Sequence, residues 1–121
     1  MIAAPNSGRL KMRLNYAIKF VSDMDAAVTF YRDALGLSLR FHSPFWSEFD
    51  TGETTLALHP ASEDNPAGTV QLGLATEDID NFYAAGQADG LAFTSPPADV
   101  HGTRIARFRD PDGAEISVSG K

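Results

Sequence analysis

The chain contains no cysteine, so disulfide staples, thiolate zinc sites, iron–sulfur clusters and cysteine nucleophiles are all excluded. It has no apolar run near the roughly 20 residues that a membrane-spanning helix requires. Its start, MIAAPNSGRLKM, lacks a basic stretch followed by an apolar one. Basic residues are also scarce: 10 Lys and Arg against 16 Asp and Glu leave a net charge of −6, which repels phosphate backbones and anionic lipid headgroups. The expectation is therefore a cytoplasmic protein with neither nucleic acid nor membrane as partner. What is present is ordinary globular composition, 43% hydrophobic and 21% charged over 121 residues, the size of one domain.

Residues 1–12 read as a loose tail. Leu14 to Val21 is the first strand, and Ser22-Asp23 then offer N-cap oxygens to a helix. Apolar residues recur at Met24, Ala27, Val28, Tyr31 and Leu35, the spacing of a one-sided helix that Gly36 ends. Strands follow at Leu37 to Phe41, Trp46 to Asp50 and Thr54 to His59. Residues 61–68 (ASEDNPAG) form a linker between a first module, 13–60, and a second, 69–121.

The second module repeats the first. Val70 to Ala75 is a strand, Glu77-Asp78-Ile79-Asp80 echoes Ser22-Asp23-Met24-Asp25, and Gly90-Leu91 echoes Gly36-Leu37. GETTLAL from Gly52 matches GAEISV from Gly113. Pro96-Pro97 precede a strand from Thr103 to Arg109, and Asp110-Pro111-Asp112-Gly113 is a strong turn signal. The pattern is βαβββ twice. Alternation puts Leu56 and Leu58, Val70, Leu72 and Leu74, and Ile116 and Val118 on aliphatic faces suited to helix packing. Lys19 falls awkwardly on such a face.

Two βαβββ modules carrying Phe30-Tyr31-Arg32-Asp33-Ala34-Leu35-Gly36-Leu37 and a late Asp110-Pro111-Asp112-Gly113 resemble the vicinal-oxygen-chelate superfamily of glyoxalases, bleomycin-resistance proteins and extradiol dioxygenases, over roughly residues 13 to 119. The resemblance implies an α+β fold in which the two modules form a cupped mixed sheet, with helices on the convex face and a ligand cleft on the concave one. It also implies a homodimer. Metal-dependent members carry four ligands at positions that correspond to Tyr16, Ala57, Gln71 and Ser117. Of these only Gln71 could still coordinate, since tight binding needs imidazole or carboxylate.

The expectation is thus a metal-independent binder of a small, partly aromatic molecule, without cofactor, its cleft formed by Tyr16, Trp46, Glu48, His59, Gln71, Arg104 and Ser117, with Phe20 or Phe108 extending the aromatic wall. Arg104 is the candidate for a ligand carboxylate. Two alternatives stand beside it. One is a lyase or dioxygenase with a relocated metal at His59, Glu48 and His42; the other is a cofactor-free enzyme in which Glu48 and His59 do acid–base work.

Overall fold

The computed structural model describes residues 12–121, and the expected tail lies outside them except for Met12, where the first strand begins. The chain divides into two compact units. One spans Leu14–Leu72; the other holds Gly73–Lys121 together with Met12 and Arg13.

In the first unit, strand β1 (Met12–Val21) leads to a helix, α1 (Met24–Thr29), capped by the Asp23 carboxylate, which accepts from the Ala26 amide at 3.1 Å. The expected helix does not continue as α-helix to Leu35. Over Phe30–Ala34 it widens into a π-helical turn, in which the Leu35 amide bonds the Phe30 carbonyl, and Gly36 at φ +74° stops it. Strands β2 (Ser38–Phe41), β3 (Ser47–Asp50) and β4 (Thr55–Pro60) follow. β4 runs parallel to β1 and antiparallel to β3, which pairs with β2, giving the order β2-β3-β4-β1. Val28, Phe49 and Leu58 form the core beneath α1, with Val21, Met24, Ala27, Tyr31 and Leu56 against it. Lys19 is accommodated because its long stem lets the amine reach the Gly68 carbonyl at 3.1 Å.

The second unit repeats the plan with β5 (Val70–Thr76), α2 (Ile79–Ala88), β6 (Ala92–Val100), β7 (Thr103–Arg109) and β8 (Glu115–Gly120), in the order β5-β8-β7-β6. Asp78 caps α2 as Asp23 caps α1. Its core is Ile79, Phe82, Ala106, Phe108 and Val118. β6 runs straight through Pro96-Pro97, which is possible because it is the outer strand beside β7 and because bulges shift its register on both sides of Ser95. His101 (φ 51°) and Gly102 (φ 84°) then close the two-residue turn into β7. The Asp110–Gly113 turn forms as expected, with the Asp110 carboxylate accepting the amides of Asp112 and Ala114.

The α+β class and the paired βαβββ modules expected from the sequence are present. One aliphatic face departs from expectation: in β5 Leu74 packs into the core, but Val70 and Leu72 are exposed. No helix among the described residues is long and apolar enough to cross a membrane.

Candidate functional site

In each unit the helix covers one face of the sheet and leaves the other open. In the first unit the parallel register of β1 and β4 sets Tyr16 beside Thr55, Ile18 beside Ala57 and Phe20 beside His59, while Glu48 stands opposite Ala57 on β3. Since Phe49, Leu56 and Leu58 pack beneath α1, alternation turns Tyr16, Ile18, Phe20, Glu48, Ala57 and His59 to the open side.

Glu48 organises this face. Its Oε2 accepts from the Trp46 indole Nε1 at 2.8 Å and from the Tyr16 hydroxyl at 3.3 Å. Its Oε1 accepts both from Arg40 Nη2 at 3.1 Å and from Nε at 3.3 Å. Arg40 also bonds the buried Thr55 hydroxyl. Arg40 reaches Glu48 because β2 is irregular there: Leu39 pairs with Phe49 and Phe41 with Glu48, leaving Arg40 as the extra residue of a bulge. A simple alternation of side chains does not reveal that placement, and sequence reasoning missed Arg40.

Around the carboxylate the rings meet edge to face. Tyr16 and Trp46 have centroids 5.8 Å apart, Trp46 and His59 6.2 Å, and Phe20 and His59 5.5 Å. Trp46 is fixed by Ser43, whose hydroxyl accepts the Trp46 amide at 3.0 Å and donates to the Trp46 carbonyl at 2.9 Å. Burial raises the Tyr16 phenol above its usual pKa; the negative charge of Glu48 and its hydrogen bond act in the same direction, and Arg40 partly offsets them.

Of the residues expected in the cleft, the structure brings Tyr16, Trp46, Glu48 and His59 together, with Phe20 at the end of the row. It sends others elsewhere. His42 bonds Ser47 at 2.9 Å and lies 3.6 Å from Asp25 of α1, while Ser47 also contacts Met24, so His42 belongs to the helix side and does not join Glu48 and His59. Arg104 is taken up by Asp80 of α2 at 2.7 Å, and Phe108 is core, packed on Phe82 and Phe93. Arg104, Ala106 and Phe108 share one side of β7, so it is Arg107 rather than Arg104 that stands beside Ser117 on the open face of the second unit. Gln71, on β5, is half-buried.

The family model described as "Glyoxalase/Bleomycin resistance protein/Dioxygenase superfamily" matches residues 13–118. The chain belongs to this superfamily. It is similar to the uncharacterized protein YraH of Bacillus subtilis (strain 168), at 28% identity over 88% of this chain and 97% of the relative. Among solved structures it resembles the hypothetical protein BH1468 of Bacillus halodurans C-125, with TM-score 0.77, 16% identity and coverage of 92% and 95% of the two chains. It also resembles methylmalonyl-CoA epimerase of Mycobacterium tuberculosis, with TM-score 0.75, 18% identity and coverage of 99% and 92%. At such identities the solved structures speak for the fold alone.

The metal site of metal-dependent superfamily members does not fit this chain. At the corresponding positions the Tyr16 hydroxyl is engaged by Glu48, Ala57 is fully buried and has no donor, and Gln71 and Ser117 offer only neutral oxygens. No group of three His, Asp or Glu able to hold an ion occurs among the described residues.

Proposed function

We propose that the protein binds a small, partly aromatic molecule without a metal, holding it against the open face of Leu14–Leu72. The observation that carries this reading is the state of Glu48. Both of its oxygens are occupied by Trp46, Tyr16 and Arg40, so the carboxylate serves to fix a row of ring edges rather than to ligate an ion or take a proton. A rigid apolar wall with few fixed polar groups is what small-molecule sites present, and binding demands no bond-making. Pairing of two copies fits the apolar side chains left exposed on the same unit, Phe30, Leu35, Phe41 and Phe45.

Trp46 is the only tryptophan, so its fluorescence reports on this face alone. Titration with a panel of neutral aromatic compounds is expected to give saturable quenching by at least one of them, and His59→Ala is expected to weaken that compound about tenfold by removing the ring beside Trp46. Elemental analysis of protein purified without chelators or metal-affinity columns checks the second half of the reading. Near-stoichiometric metal that disappears in His59→Ala would overturn it.

A further inference from the structure

The arginines among the described residues are nearly all engaged. Arg32 pairs with Asp33, Arg40 with Glu48 and Arg104 with Asp80, Arg109 donates to the Gly113 carbonyl, and Arg13 has a partner as well. Arg107 is the exception among the described residues: it is half-buried on β7 and makes neither a hydrogen bond nor an ion pair. Its side-chain nitrogens reach solvent while its stem is covered, so five donors that no described residue uses are available to an acceptor from outside. In a chain with 16 acidic side chains the missing partner is not for want of carboxylates. The nearest in register, Glu115 opposite Arg109, is instead held by the Thr94 hydroxyl at 2.8 Å.

The neighbours of Arg107 are hydroxyls. Ser117 stands directly opposite on β8, and Ser95 opposite on β6, where the strand bulges on both sides of the pairing. The Ser95 Oγ is buried without a hydrogen-bond partner among the described residues, a second group at the same place left unsatisfied. An unpaired planar fork beside the Ser117 hydroxyl suits an acceptor with two coplanar oxygens.

We propose that Arg107 anchors the carboxylate of a small organic acid on the open face of Gly73–Lys121, with Ser117 as an accessory donor. This goes beyond the reading of the Trp46 face and does not depend on it.

The test follows the Arg107 Nε–Hε resonance by NMR while the protein is titrated with benzoate and, separately, with its neutral analogue benzamide. Benzoate is expected to shift the Arg107 signal saturably. Arg107→Gln should weaken benzoate binding about tenfold and Ser117→Ala about threefold, the loss of a charged and of a neutral hydrogen bond respectively. Arg104→Gln, which disturbs a guanidinium already paired with Asp80, should leave benzoate binding unchanged. Benzamide binding as tightly as benzoate, no shift of the Arg107 signal, or an Arg107→Gln protein that binds benzoate like the wild type would each overturn the proposal. Quenching of Trp46 by neutral aromatics in Arg107→Gln keeps the two readings separable, since either can fail without the other.

Discussion

The two units share a plan and differ in how their open faces are satisfied. On the face of Leu14–Leu72 the ionic group is internal: Glu48 collects donors from three different segments, and every one of them has a place. On the face of Gly73–Lys121 stands Arg107, which no described residue completes. A duplicated module can therefore keep its backbone while one copy becomes a prearranged wall and the other an open anchor. The first arrangement ties the site to stability, whereas the second frees the anchor to serve binding alone.

The largest effect should come from breaking the satisfied face. Glu48→Ala strips the acceptor from the Trp46 indole, the Tyr16 hydroxyl and Arg40 together, and leaves the half-buried Trp46 and Tyr16 donors with nothing to bond, while the exposed Arg40 keeps Thr55. Urea unfolding followed by circular dichroism is expected to show a loss of about 2 kcal/mol. Trp46, released on the indole side, should move to longer emission wavelength in the same protein.

A smaller effect, and a pH signature, belongs to Tyr16. Its phenol is held above the ordinary tyrosine value of about 10. A group whose folded pKa is raised contributes stability that is present in full below the unfolded value and is lost as pH climbs through the folded one. Unfolding free energy should accordingly fall at alkaline pH. Tyr16→Phe should cost about 1 kcal/mol at neutral pH by removing one hydrogen bond to Glu48, and should flatten that alkaline decline. An unchanged alkaline profile in Tyr16→Phe would place the titration elsewhere.

How much of this was legible in the sequence depends on whether local patterning decides the outcome. The repeat was visible because Asp23 and Asp78, and Gly36 and Gly90, do the same local work at the two helix ends. Tyr16, Trp46, Glu48 and His59 could be grouped because strand alternation holds through β1, β3 and β4. Where a strand bulges, alternation fails, which hid Arg40 in β2 and the course of β6 through its prolines. Arg104 is a different case. β7 carries three arginines, Arg104, Arg107 and Arg109, and only the packing of Ala106 and Phe108 beneath α2 shows which side Arg104 shares. The π-helical turn at Phe30–Ala34 leaves no mark in a pattern of apolar spacing either, because it shifts the last turn without changing which residues are apolar.

The smallest expected effect sharpens the comparison most. Arg107→Gln removes a cation that no described residue uses, so its stability in urea should match the wild type within about 0.5 kcal/mol. Near-neutrality beside the loss in Glu48→Ala would confirm that the two faces divide their labour, one maintained for the fold and one for a ligand. A loss above about 1 kcal/mol would mean that Arg107 has a partner within the folded chain, and the contrast between the two faces would then rest on Glu48 alone.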